Sequence, residues 1–418
     1  MTPVRRLVAT TVAACSAALG AAACTAEAPV ASGPPTSTVQ ATPAGSSPTA
    51  TDVATEAASP SPSATPAPSP ITGWGGTVFN RPEAPSTIAA LATNGTVVVA
   101  AGGSATEGAV WILRSGADWE RATGVPATPQ GEIISLTDVA AFGTGFAAVG
   151  VVGAPQGEPF ASVIWASDDG RTWREVRRLS GELLHGVIAG GPGLIAMGGR
   201  GPAVGYPSGV ALWTSADGET WTQASGLEPL GASAFEDAVS ADAGLIAVGQ
   251  SRDDPSAPDI SAAVWTSADG TAWTRVSSGP LFATSVMNAI ATSGLGLVAV
   301  GQDYGPAGGH PVVWTSADGT AWERPPFDVA AGGLNGAAGT DGALAIAGSV
   351  AGPDDLHPAV WTSLDAATWT AVPEVPEQGT GFLNDVLAVD DRLIAAGSTI
   401  GPTPDETLPL VLNGPLPE

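Results

Sequence analysis

The chain has 418 residues, and its 55 Gly and 37 Pro make up about 22 per cent, against an ordinary usage nearer 12 per cent; this excludes a helical bundle or coiled coil. All 14 basic residues are Arg while 40 residues are acidic, and a net charge of -26 makes nucleic acid and anionic lipid surfaces poor partners, because little here neutralises phosphate. The two Cys, Cys15 and Cys24, both lie near the N-terminus, so disulfide frameworks, Cys-based zinc sites and thiol catalysis are excluded from the rest.

Taken in chain order, residues 1–23 carry Arg5-Arg6, an uncharged Ala/Val/Leu/Thr stretch and Ala21-Ala22-Ala23 before Cys24, the layout of a secretory signal. The small residues before Cys24 resemble a bacterial lipobox, which implies a lipid anchor at Cys24; Cys15, or an unlipidated Cys beside an ordinary Ala-x-Ala cleavage site, are the alternatives. The product is expected to be exported, lipid-anchored on the outer face of the cytoplasmic membrane or secreted, touching the membrane through the anchor only. Residues 24–70 are dominated by Ala, Ser, Thr and Pro, cannot build a core, and read as a disordered tether.

From 71 to 418 the sequence repeats. Twelve of the 13 Trp form pairs eight apart, from Trp111/Trp119 through Trp165/Trp173, Trp213/Trp221, Trp265/Trp273 and Trp314/Trp322 to Trp361/Trp369. Between them stand variants of Trp-Thr-Ser-Ala-Asp-Gly-x-x-Trp. A second motif, an apolar strand ending in Gly, recurs at Gly102, Gly150, Gly198, Gly249, Gly301, Gly348 and Gly397. Each unit of about 50 residues then holds four short strands, for example 288–291 and 297–300 followed by one ending at the first Trp and one starting at the second. The last unit supplies three (383–388, 393–396, 408–412), and its missing fourth is expected at 74–79, carrying the thirteenth Trp. The predicted fold is all-β: a seven-bladed β-propeller closed by pairing of the N- and C-terminal strands.

The turns Ser215-Ala216-Asp217-Gly218-Glu219-Thr220-Trp221 and Ser167-Asp168-Asp169-Gly170-Arg171-Thr172-Trp173 resemble the Asp-box of bacterial sialidases and related propellers, with one residue fewer between Asp and Gly. The resemblance supports the propeller and implies structural roles for Asp169, Asp217, Asp269, Asp318 and Asp365. It implies little hydrolysis: Phe79-Asn80-Arg81-Pro82 places its Arg one position off the sialidase Phe-Arg-x-Pro segment, and Tyr206 and Tyr304 are the only tyrosines. The units here number seven, where sialidases have six.

Thirteen residues before the strand-ending glycines stand Thr137, His185, Glu236, Asn288, Asn335 and Asn384, with Ala89 the exception. This polar row begins the innermost strands at the mouth of a central channel, and two readings stand: ligand recognition, or capping of strand ends by water. Glu236 and Asp237, as strand neighbours, are expected on opposite faces. No cofactor is expected, with calcium in the loops at Asp253, Asp303 and Asp354 as the alternative. The functional expectation is a monomeric, non-catalytic binding module for a protein or cell-wall glycan; the alternative is a cell-surface, sialidase-like glycan hydrolase.

Overall fold

The computed structural model describes residues 73–79, 86–104, 108–114, 118–123, 133–154, 157–201, 207–252, 260–276, 279–305, 309–329, 332–352, 355–372, 379–400 and 407–417. The expected leader and tether, with Cys15 and Cys24, and also Arg81, Tyr206, Asp253 and Asp354, lie outside the described residues. No helix among the described residues is long and apolar enough to cross a membrane.

The described chain is all-β and antiparallel. A strand β1 (Gly75–Val78) precedes a first group of β2 (Ser86–Thr93), β3 (Val97–Ser104), β4 (Gly108–Arg114) and β5 (Glu120–Arg121). The second group is β6 (Ile133–Phe142), β7 (Gly145–Ala154), β8 (Gly157–Ser167) and β9 (Arg174–Ser180). The third is β10 (Glu182–Gly190), β11 (Gly193–Arg200), β12 (Gly209–Ser215) and β13 (Thr222–Gln223). The fourth is β14 (Ala232–Ala241), β15 (Gly244–Arg252), β16 (Ser261–Ser267) and β17 (Thr274–Arg275). The fifth has β18 (Ser285–Ser293), β19 (Gly296–Asp303) and β20 (His310–Ser316), its fourth strand reduced to a bridge between Thr315 and Glu323. The sixth is β21 (Gly332–Gly339), β22 (Leu344–Ala351), β23 (Leu356–Ser363) and β24 (Thr370–Ala371), and the last is β25 (Gly381–Val389), β26 (Arg392–Ile400) and β27 (Thr407–Pro415).

Within each group the strands pair in chain order, and β1 pairs along β27 with Gly75 opposite Asn413 and Val78 opposite Leu410. One further backbone pair, Gly103 with Ser135, joins the first two groups into a larger sheet. The first strand of each group packs on that of the next, and β25 packs on β2. The core is divided accordingly: a separate buried cluster fills each space between neighbouring groups, including one that sets Ile88, Leu91 and Trp111 against Ile394, Ala396 and Val411.

Second strands such as Leu194-Ile195-Ala196-Met197 are buried on both faces, which is why they read as continuous apolar runs rather than alternating ones. The glycine ending each of them has a steric cause. Each faces a β-bulge in the first strand, where the pairing skips residue 89, 137, 185, 236, 288, 335 or 384. There the bulged strand turns a backbone carbonyl, Leu183 for Gly198 and Phe382 for Gly397, into the space that a Cβ would need.

In groups two to six the turn after the third strand is built by its own sequence. In the third group the Asp217 carboxylate accepts the N–H groups of Glu219 (2.9 Å) and Thr220 (2.7 Å), and the Ser215 hydroxyl accepts that of Gly218 (2.8 Å). Gly218 takes φ +77, and the buried Trp221 indole donates to its carbonyl at 3.1 Å. Asp169, Asp269 and Asp318 make the same bonds, and Asp365 makes the two carboxylate ones. These bonds hold Asp269, Asp318 and Asp365 down at about 2.

Candidate functional site

The seven bulge residues are the polar row and Ala89, so each begins where its strand gains an extra residue. A bulge re-aims side chains, and it brings both members of a consecutive pair to the same side. Glu236 and Asp237 therefore both line one central cavity of about 490 Å³, together with Thr137, Asp138, His185, Asn288, Asn335, Asn384 and Asp385. This corrects the expectation that strand alternation sends Glu236 and Asp237 to opposite faces.

The row is not a set of strand ends facing only water. Asn288 donates to the Leu334 carbonyl, Asn335 to that of Leu383, each at 2.9 Å, and Asn384 to that of Ile88 at 2.7 Å. The Thr137 hydroxyl lies 3.2 Å from the Leu184 carbonyl. Every one of these bonds runs from one strand group to the next. His185 Nδ1 and Glu236 Oε2, also from neighbouring groups, stand 2.6 Å apart, and Gln250 donates to the other Glu236 oxygen at 2.9 Å. Burial is the largest influence on His185 and disfavours its charge, but the charge and hydrogen bond of Glu236 outweigh it and the ring pKa is raised.

The residue after the bulge adds a second layer. Asp138, Asp237 and Asp385 each accept the next N–H of their own strand at 2.7 Å. Their second oxygens accept an N–H from the following group: Val187 (2.7 Å), Ile290 (2.9 Å) and Leu91 (2.7 Å). The partner strand carries Gly186, Ala289 or Ala90 beside the carboxylate, small residues that leave room for it. Burial raises Asp237 to about 6 and Asp385 to about 7, with the charge of Glu236 adding to the first and that of Asp237 to the second, against the lowering of their backbone hydrogen bonds. Asp138 is pushed well above the usual carboxylate range by burial and by the other two aspartates.

These three aspartates are the site residues that counting from the glycines passes over. Their signal is a consecutive polar pair inside an apolar strand, as at Thr137-Asp138, Glu236-Asp237 and Asn384-Asp385. Of the loop aspartates, Asp303 is described: it accepts from Thr284, the Gly305 N–H and Arg324, so its oxygens serve a loop clasp. His310 and His357 occur at the start of β20 and β23, and His357 lies 2.9 Å from Asp355. Among the described residues no three His, Cys, Asp or Glu are grouped to hold a metal ion.

No protein-family model matches the sequence, and no curated protein matches it. Among solved structures, the chain is similar to phage phi92 endosialidase (11% identity over 83% of this chain and 70% of that one, TM-score 0.49). It is also similar to Kuenenia stuttgartiensis hydrazine synthase (13% identity, 76% and 94% covered, TM-score 0.50) and to polysaccharide lyase Uly1 (11%, 79% and 90%, 0.49). At such identities the likeness concerns the all-β fold alone.

Proposed function

We propose that the chain is a seven-bladed β-propeller, exported and held at the membrane through Cys24, whose central cavity binds a short hydroxyl-rich cell-wall glycan without turning it over. The succession of strand groups, the packing of β25 on β2 and the pairing of β1 with β27 support the ring. One observation carries the binding reading: in a cavity of about 490 Å³, the row's amide donors are spent on neighbouring carbonyls, while the carboxylates on the same wall take one N–H per oxygen and so keep acceptor capacity to spare. A wall rich in acceptors fits a ligand rich in donors, and buried polar groups of that kind reject a ligand that cannot pair them. The non-catalytic reading rests on the carboxylates themselves. Both oxygens of Asp138, Asp237 and Asp385 accept backbone N–H groups, which is the work of a structural tie.

The glycan-hydrolase reading draws on one feature, the rise of Asp237 and Asp385 to about 6 and 7, where a general acid works at neutral pH. The test is calorimetric titration of the purified chain with wall-derived oligosaccharides, beside an Ala89→Phe variant that narrows the cavity at the one bulge without a polar tie. Binding by the parent and loss by the variant, with no new reducing ends, is expected. Equal binding by both moves the site elsewhere, and release of reducing ends that Asp237→Asn abolishes establishes the enzyme.

A further inference from the structure

The polar links between neighbouring groups are not chemically equivalent. The first and second groups share a backbone pair, Gly103 with Ser135, and the fourth and fifth share the bridge between Ser261 and Ala283. The side-chain amides of Asn288, Asn335 and Asn384 and the hydroxyl of Thr137 serve four further junctions. Each of these junctions thus has a link that no pH change in the physiological range can remove. The junction of the third and fourth groups differs. Among the described residues its cross-strand polar link is the contact of His185 on β10 with Glu236 on β14, at 2.6 Å. The position that carries an aspartate tie in the second, fourth and last groups is Gly186 here, and a Cβ on it would come within 2.9 Å of the Glu236 carbonyl oxygen. No second tie can be built from that place.

We propose that the β10–β14 junction is a pH-sensitive seam at the cavity: protonated His185 holds it closed, and loss of that proton to solvent loosens it while the other junctions stay tied. The His185 side chain is 24% exposed and that of Glu236 is 5% exposed, so the proton has a way out while the carboxylate remains where charge is costly. The groups that face the pair are acidic. Asp237 adjoins Glu236 on β14, Asp138 reaches from β6 to within 3.5 Å of a Cβ placed on Gly186, and Asp385 lines the same cavity from β25. Tyr304, after β19, is pushed up to about 12 by burial and by the Glu236 charge. None of these groups competes with His185 for the role of cation, and the charge of Glu236 is what favours its protonated form. Deprotonation removes the cation: the neutral ring can keep an Nδ1–H on one Glu236 oxygen as Gln250 keeps its N–H on the other, but both donors are then neutral and the carboxylate's charge is uncompensated at the seam.

Hydrogen exchange of the ligand-free full chain at pH 6 and pH 8, corrected for the intrinsic rate, reads the seam directly and independently of any ligand. Protection of 182–190 and 232–241 is expected to fall between the two by roughly tenfold more than that of 332–339, whose ties run through Asn288 and Asn335, tenfold being the scale on which a charge-assisted hydrogen bond exceeds a neutral one. His185→Asn should remove this extra pH dependence and leave the seam at pH 6 as open as the parent at pH 8. Glu236→Gln should do the same and lower the His185 ring titration followed by NMR. A uniform change across all junctions, or an extra dependence that survives both substitutions, overturns the proposal. If neither variant folds, the midpoint of the exchange change in the parent must coincide with the His185 titration, and a mismatch overturns it equally.

Discussion

Ala366 occupies a backbone position that its counterparts give to glycine. It takes φ +59 where Gly170, Gly218, Gly270 and Gly319 take +76, +77, +80 and +77. The left-handed region costs an L-residue about 1–2 kcal/mol, while glycine costs part of that back through the unfolded chain. The neighbouring indole registers the misfit: Trp173, Trp221, Trp273 and Trp322 each donate to the turn carbonyl, but the buried Trp369 N–H has no partner. Ala366→Gly is therefore expected to stabilise the protein by about 0.5–1 kcal/mol. Thermal denaturation checks the gain, and a downfield shift of the Trp369 indole proton checks the recovered bond. Trp221→Ala, which empties a buried site and deletes the bond to Gly218, should instead cost about 3–5 kcal/mol in denaturant titration.

At the scale of elements, the outer strands show what sequence can and cannot announce. Strand β1 is mostly exposed, and Trp74, just before it, joins the cluster between the sixth and last groups. A Cβ on Gly414 would run into the Trp74 ring. Gly414→Ala should expel Trp74 and unzip β1, making 71–80 protease-sensitive and lowering the melting temperature about as much as deleting 71–80. Deleting 25–70 should leave it unchanged, and a Gly414→Ala protein as resistant as the parent would remove β1 from the account. The strands were legible because Trp, Gly and apolar runs recur at fixed spacing, and each has a steric reason to recur. The strand-ending glycines in fact encoded the bulges, since only a bulge brings a carbonyl to that point, but a strand with one residue too many has the composition of a regular one. Regular alternation consequently sends Glu236 and Asp237 to opposite faces and draws no notice to Asp138 or Asp385, although all of them line the cavity. The fourth strands, often two residues long, had their place marked by Trp but their length set by tertiary packing alone.

The whole molecule carries two populations of aspartate with opposite pH responses. Asp269, Asp318 and Asp365, held near 2, contribute stability that is present above the unfolded value of about 3.9 and lost as pH falls through 2. Asp237 and Asp385, raised to about 6 and 7, contribute stability that is complete below about 3.9 and lost as pH rises through 6 to 7. His185, also raised, adds to the loss on the alkaline side. The melting temperature should accordingly peak near pH 4 and fall by on the order of 5 °C towards pH 8, since exposure at the cavity wall screens the full effect. Asp385→Asn should flatten that alkaline limb in a calorimetric pH series, and a limb of unchanged slope would deny the aspartate its part. The ties that set this profile also set an order of events during synthesis. Leu91 and Asp385 meet across 294 residues of sequence, and β1 waits still longer for β27. Groups can settle one after another as the chain lengthens, but β1 has no partner until β27 is made. A chain cut short anywhere before β27 leaves Trp74 without its pocket, so a single sheet registers whether synthesis has reached β27.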